Sequence, residues 1–120
     1  MERLRFDSDV AFTPADERLE AVTFAPLTAP LSGGAPVQAA VVRLGPNGRL
    51  KRHPASVPQI LAVLEGSGCV SGAEGTFEPI TAGEAVFWAS GEEHETQTEG
   101  GMSALILEGE GVRPFRGRGA

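Results

Sequence analysis

The sequence predicts an all-β protein, and three features of its 120 residues support this fold class. Short apolar runs recur along the chain, Gly and Pro residues separate these runs, and no stretch has a sustained helical period. This pattern is typical of a β-sandwich or a β-barrel. The length is close to that of one domain, so we expect residues 1–120 to fold around one core.

The runs predict the strands in chain order. After an N-terminal arm over residues 1–20, in which residues 13–17 predict one turn of helix, LEAVTF begins the first strand at Leu19. A loop rich in Pro, Gly and Ser separates it from VQAAVVRL. The further runs are QILAVLEG, GCVSG, GTFEPIT, GEAVFWAS, HETQT and MSALILEG. Residues 37–110 therefore form the predicted barrel core, and residues 111–120 form a loose tail in which Phe115 is the candidate for docking on a sheet.

Two of the predicted strands are apolar on both faces. Residues 60–64 and 104–107 are apolar at nearly every position, so one face can fill the barrel while the other requires a cover. Either the N-terminal arm or a second subunit can supply that cover, because large exposed apolar surfaces usually mark interfaces. We expect a homodimer.

Composition and charge exclude several classes of function. The net charge of −6 argues against binding a phosphate backbone. The lone Cys69 cannot form an internal disulfide, and the chain has no Cys-x-x-Cys pair. No run of about 18 apolar residues is present, and the first residues lack the apolar segment of a secretory signal. We therefore expect a cytoplasmic protein that binds neither nucleic acid nor membrane.

The only two histidines, His53 and His94, are the candidate site, because the chain contains no Gly-rich phosphate loop that would place chemistry elsewhere. The segment around His53 runs from Gly45 through RLKRHPASVPQ into the strand that ends at Gly66. The segment around His94 reads GEAVFWASGEEHETQT. Both segments resemble the two motifs of the cupin family.

The first cupin motif is a Gly, then His-x-His, then Glu three or four residues on and Gly seven residues after that. Aligned on Gly66, the first histidine of the motif falls on His53, the second on Ala55 and the glutamate on Gln59. The second cupin motif is Gly-x5-Pro-x-Gly-x2-His-x3-Asn. Its spacing is matched by Gly83, Gly91 and His94, with Ala89 at the proline and Thr98 at the asparagine position.

The resemblance implies a double-sheeted jelly-roll barrel, also called a double-stranded β-helix, that holds a metal ion inside through three histidines and one glutamate. Ala55 cannot coordinate a metal, and Gln59 offers a neutral amide oxygen in place of a carboxylate. The resemblance therefore implies a metal site of His53, Gln59 and His94. Zn, Ni, Fe or Mn are the candidate divalent ions.

Two functions remain open at this point. One is a metal-dependent enzyme of the oxygenase, isomerase or lyase type that acts on a small polar molecule. The other is a metal-free barrel that binds or senses a small molecule without catalysis. In both cases the candidate pocket residues beside the histidines are Trp88, Glu93 and Arg52: an aromatic ring, a carboxylate at the barrel mouth and a cation that leads into His53.

Overall fold

The computed structural model describes residues 1–117, which contain seven β-strands and one turn of 3-10 helix at Leu31–Gly33. The strands are β1 (Leu19–Pro26), β2 (Gln38–Pro54), β3 (Gln59–Ser71), β4 (Glu78–Thr81), β5 (Ala85–Trp88), β6 (Glu93–Gln97) and β7 (Met102–Glu108). All pairings between the strands are antiparallel. The predicted all-β class is confirmed.

Two long strands, β2 and β3, belong to both walls of a closed barrel. Residues 38–44 of β2 and residues 59–66 of β3 pair with opposite edges of β7. Farther along the same strands, residues 49–54 and residues 69–71 pair with opposite edges of β6. Strand β7 therefore lies in one wall and β6 in the other. The first wall is extended by β1 and β5. Strand β4 pairs with residues 67–70, near the C-terminal end of β3.

The sequence predicts more breaks between strands than the structure contains. The runs QILAVLEG and GCVSG form the single strand β3, and VQAAVVRL continues through Gly48 to Pro54 as β2. Glycines permit this continuity where the chain bends. A Cβ atom at Gly48 would lie 2.8 Å from the carbonyl oxygen of Gly45, and one at Gly68 would overlap the carbonyl oxygen of Gln97. The glycines therefore allow close backbone packing inside long strands.

The core fills the barrel between the walls. Its members are Val22, Val42, Leu44, Leu50, Leu61, Val63, Val70, Ile80, Trp88, Met102, Ala104 and Ile106. They come from six of the strands, and in β7 the buried residues Met102, Ala104 and Ile106 follow the period of two expected for a strand with one interior face. The same alternation places Glu108 on the interior side, at the end of the barrel where β2 begins.

The N-terminal arm runs beside β1. Phe12 forms an antiparallel bridge with Phe24, and Arg43 donates a hydrogen bond to the carbonyl oxygen of Phe6 at 2.8 Å. The prediction of a helical turn at residues 13–17 is wrong, because Asp16 forms a turn there instead. The carboxylate of Asp16 accepts from the backbone N–H of Arg18 at 2.9 Å, and its carbonyl accepts from that of Leu19 at 3.2 Å.

The outer face of the β3 and β7 wall is apolar and incompletely covered. Ile60, Leu105 and Leu107 are half-buried, and Leu64 is 51% exposed. At the C-terminal end Val112 is buried, whereas Phe115 is 86% exposed and does not dock on a sheet. Residues 118–120 of the predicted tail lie outside the described residues. Within residues 1–117 no helix is long and apolar enough to cross a bilayer.

Candidate functional site

The two histidines lie side by side inside the barrel. Strands β2 and β6 pair so that His53 and His94 are directly opposite each other, and their ring centroids are 4.4 Å apart with the ring planes inclined at 55°. In a strand with alternating faces, His94 shares the interior side with Thr96 and Thr98, and all three are buried. The neighbouring Glu95 has the opposite orientation, and its carboxylate forms an ion pair with Arg49 at 2.7 Å.

Backbone carbonyl groups fix the tautomer of both rings. Nδ1 of His53 lies 2.6 Å from the carbonyl oxygen of Lys51, and Nδ1 of His94 lies 3.1 Å from that of Glu92. A carbonyl oxygen can only accept, so Nδ1 carries the proton in both rings. In the neutral form of each ring Nε2 then carries a lone pair, which is the arrangement that metal-ligating histidines adopt.

Burial keeps His94 uncharged. The side chain is 3% exposed, and the indole ring of Trp88 packs against it with centroids 4.3 Å apart. Burial lowers the pKa of His94 below its ordinary value of 6.5, and the nearby His53 lowers it further, although the hydrogen bond to Glu92 opposes this shift. His94 is therefore a neutral acceptor at physiological pH.

Both histidines line a cavity of about 190 Å³ inside one end of the barrel, which we name the central cavity. Its wall also contains Pro14, Asp16, Arg18, Leu19, Phe24, Gln38, Ala40, Leu50, Gln59, Ile106 and Glu108. The three residues of the predicted metal site, His53, Gln59 and His94, are thus brought together on one cavity. Apolar side chains form about half of the wall, and the polar groups converge on it from β2, β3, β6, β7 and the N-terminal arm.

A carboxylate that the sequence analysis missed lies in this cavity. Glu108 accepts a hydrogen bond from the amide nitrogen of Gln59 at 2.9 Å and another from that of Gln38 at 3.3 Å. Both glutamines pair with Glu108 in register, so the three residues form a row across β2, β7 and β3. The amide oxygen of Gln38 in turn accepts from the backbone N–H of Leu31 at 2.8 Å. The row is therefore anchored at one end.

The alternation within β7 could have identified Glu108. In MSALILE the interior positions are Met102, Ala104 and Ile106, and the next position on that face is Glu108. A carboxylate on the interior face of an otherwise apolar strand requires polar partners or a function.

The N-terminal arm adds an ion pair to the cavity wall. The guanidinium group of Arg18 donates two hydrogen bonds to the carboxylate of Asp16, at 2.9 and 2.7 Å. This pairing lowers the pKa of Asp16 to about 2, so the pair remains charged over the physiological range. The arm thus contributes polar groups to the cavity as well as packing beside β1.

The other predicted pocket residues do not line this cavity. Trp88 is 1% exposed and lies behind the ring of His94. The guanidinium group of Arg52 donates to the carbonyl oxygens of Gly72 and Ala73 at 2.9 and 3.3 Å, which holds it at the opposite end of β3. Glu93 is exposed, and its neighbour Glu92 accepts hydrogen bonds from the backbone N–H groups of two loops.

Within the predicted metal site, the donors available to a metal ion are two imidazoles and one amide oxygen, and the carboxylate of Glu108 lies on the same cavity. Within residues 1–117 no group of three or more His, Cys, Asp or Glu side chains has a metal-binding arrangement. The amide nitrogen of Gln59 is occupied by Glu108, so its Oε1 is the atom left to bind an ion. Ala55, at the position of the second histidine in the first motif, is buried and offers no ligand. The cavity therefore offers a divalent ion two imidazoles and one amide oxygen, with the carboxylate of Glu108 beside them.

Comparisons with known sequences found no match. No family model matches the chain, and no curated protein matches it.

Comparisons with solved structures found many similar folds. The polyketide cyclase RemF from Streptomyces resistomycificus superposes with a TM-score of 0.77 at 25% identity, covering 95% of this chain and 82% of that chain. A cupin-2 domain protein from Rhodospirillum rubrum superposes with a TM-score of 0.71 at 13% identity, covering 96% and 78%. A cupin-like protein from Thermotoga maritima superposes with a TM-score of 0.70 at 18% identity, covering 92% and 80%. The likeness confirms the predicted double-sheeted jelly-roll barrel.

Proposed function

We propose that this chain, a small single-domain protein with the cupin fold, binds a small polar molecule in its central cavity with the help of a divalent metal ion held by His53, His94 and Gln59. The observation that carries the proposal is the pair of imidazoles whose Nδ1 atoms face backbone carbonyl oxygens. Two Nε2 lone pairs on one cavity can bind a cation or accept hydrogen bonds from a ligand.

The chemistry of the three donors favours a borderline divalent ion. Imidazole suits Zn, Ni and Fe, and an amide oxygen is an acceptable hard ligand. A bound ion of this kind would supply Lewis acidity, polarising a ligand oxygen or lowering the pKa of a bound water molecule. The residues of this chain orient the imidazoles through Lys51 and Glu92, and they exclude water from His94 through Trp88.

The ligand is an organic molecule of modest size. A cavity of about 190 Å³ lined by Leu19, Phe24 and Ile106 suits a partly apolar compound. The structural likeness to a polyketide cyclase supports an organic ligand and agrees with an enzyme of the isomerase, lyase or oxygenase type. Fold alone does not select the reaction.

Metal content tests the proposal. Protein stripped with a chelator and reloaded in turn with Zn, Ni, Fe and Mn should retain close to one equivalent of at least one ion. The variants His53→Ala and His94→Ala should lose it. Lys51→Ala, which removes a half-buried cation paired with Glu20 but leaves the carbonyl oxygen that faces His53, is the matched control. Retention of none of the four ions above background would refute the metal part of the proposal.

A second candidate function is metal-free binding of a small molecule. The hydrogen bond that draws the Gln59 amide to Glu108, together with Ala55 in place of a third histidine, favours it. In that case the two Nε2 atoms accept hydrogen bonds directly from the ligand. A ligand at about a hundred times its Kd should stabilise the fold by about 2.7 kcal/mol. This stabilisation should persist in the presence of a chelator.

We also propose that the chain forms a homodimer through the outer face of the β3 and β7 wall. The support is the row of incompletely covered apolar side chains Ile60, Leu64, Leu105 and Leu107. Sedimentation equilibrium should give the mass of two chains, and Leu64→Glu should shift it toward one. A monomeric parent protein at micromolar concentration would contradict this proposal.

A further inference from the structure

We propose that Glu108 determines the ligand specificity of the central cavity by accepting a hydrogen bond from an uncharged hydroxyl group of the ligand. This inference rests on the proposed function, because it concerns the same cavity. It adds the residue that selects the ligand and the chemical class of the group that is selected.

The carboxylate of Glu108 is held in place by hydrogen bonds that do not use all of its lone pairs. One oxygen accepts from Gln59 at 2.9 Å and the other from Gln38 at 3.3 Å. A carboxylate has about four lone-pair sites, so two amide donors leave acceptor capacity on both oxygens. Because the anchored Gln38 and the paired strands fix the position of the carboxylate, it can present that capacity to a ligand without an ordering cost.

Among the residues that the structure describes, 1–117, Glu108 forms no ion pair. Arg18, a cation on the cavity wall, directs two of its donors to Asp16. Apolar residues such as Leu19, Phe24 and Ile106 surround the remaining wall. A carboxylate in such a cavity benefits strongly from one more donor, because hydrogen bonds to ionised acceptors are about twice as strong as those between neutral groups.

The charges on the wall define the class of donor. A carboxylate ligand would be repelled by Glu108, and an ammonium ligand would be repelled by a divalent ion at His53 and His94. An uncharged hydroxyl group is repelled neither by Glu108 nor by the ion. A second oxygen atom of the ligand can contact the ion. The cavity volume of about 190 Å³ exceeds the 150 Å³ or so that holds one benzene molecule. A single-ring compound with two hydroxyl groups meets these conditions of charge and size.

Calorimetric titration of zinc-loaded protein tests the assignment with resorcinol and 1,3-dimethoxybenzene, which keeps both oxygens but has no hydroxyl donor. Wild-type protein should bind resorcinol more tightly by at least about tenfold, because a site built to pair with a hydroxyl rejects an analogue that lacks it. In Glu108→Met this preference should decrease by at least about fivefold, because the acceptor of the hydroxyl is removed. Glu110→Met, which removes an exposed carboxylate beyond the end of β7, should keep the full preference.

Two more ligands test the charge argument. Resorcinol should bind more tightly than 3-hydroxybenzoate and than 3-(aminomethyl)phenol in its ammonium form. Tighter binding of either charged compound would overturn the hydroxyl assignment. If Glu108→Met does not fold, Glu108→Gln replaces it, and there the preference should decrease because a neutral amide accepts more weakly than a carboxylate. An unchanged preference in a folded Glu108 variant would overturn the assignment.

The outcomes separate this inference from the proposed function. Wild-type protein that retains zinc but does not prefer resorcinol refutes the role of Glu108 and leaves the metal site intact. The converse result is wild-type protein that retains no zinc but prefers resorcinol, with this preference lost in Glu108→Met. That result would refute the metal site and support the role of Glu108.

Discussion

Gln59 and Glu108 lie opposite each other on β3 and β7, and the amide nitrogen of Gln59 donates to the carboxylate of Glu108 at 2.9 Å. Gln59 occupies the position at which the first cupin motif has a glutamate. A glutamate there would face the carboxylate of Glu108 with no donor between them. The amide at position 59 and the carboxylate at position 108 are therefore chemically matched.

This relationship predicts the effect of Gln59→Glu. The variant removes a hydrogen bond to a charged group and places two carboxylates together, so the free energy of unfolding should fall by about 2 kcal/mol without metal. A divalent ion should restore part of the loss by pairing with the new carboxylate. Urea unfolding with and without zinc measures both effects. Gln97→Glu, the same change on β6 outside the cavity, is the control. An equal loss of stability in Gln97→Glu would contradict the explanation based on Glu108.

The burial of His94 predicts a pH-dependent stability. The pKa of His94 is below 6.5 in the folded protein, so the unfolded chain binds the additional proton more readily. The contribution of His94 to stability is present above pH 6.5 and decreases as the pH falls below this value toward the folded pKa. Thermal unfolding in metal-free buffer between about pH 5 and pH 7 should show Tm falling with pH.

The variant His94→Gln should flatten this part of the pH profile. It retains a polar side chain of similar size but cannot titrate. A profile of the same slope in His94→Gln would show that another group is responsible.

Trp88 should support the fold and the orientation of His94 together. The side chain is 1% exposed and packs on the imidazole at a centroid distance of 4.3 Å. Trp88→Ala should therefore reduce the free energy of unfolding by about 3–5 kcal/mol and weaken zinc binding. Trp88→Phe should be less destabilising because it keeps an aromatic ring against His94. Denaturant unfolding with zinc titration tests the pair of variants; unchanged zinc affinity in folded Trp88→Ala would contradict the orienting role.

Gly68 should not tolerate a side chain. A Cβ atom at this position overlaps the carbonyl oxygen of Gln97 on the adjacent strand, so Gly68→Ala should destabilise the fold by about 1–3 kcal/mol. At Gly100 a Cβ atom meets nothing within 4 Å, and Gly100→Ala should be close to neutral. Chemical denaturation of both variants measures the difference, and equal stabilities would contradict the close approach of β3 and β6.

The sequence predicts the strands and the pair of histidines because both depend on local patterns. Short apolar runs mark the walls, and motif spacing places His53 and His94 at ligand positions. The row of Gln38, Gln59 and Glu108 depends instead on register between strands, since its members are separated by 49 and 70 residues in the chain. Local patterns do not determine such pairings.

Two further differences between the sequence-based predictions and the structure arise from tertiary contacts. Asp16 and Arg18 join the cavity only because the arm folds beside β1, which no local pattern indicates. Arg52 leads directly into His53 in sequence, but successive residues of a strand point to opposite faces, and Arg52 reaches the loop after β3 instead.

X-ray absorption spectroscopy of the zinc-loaded protein tests the central claim most directly, because it identifies the atoms around the ion. We expect two imidazole nitrogen ligands together with oxygen ligands, and one imidazole in His53→Ala if any zinc remains. A spectrum with a sulfur ligand, which only Cys69, Met1 or Met102 could supply, or with no imidazole would contradict the site formed by His53, His94 and Gln59.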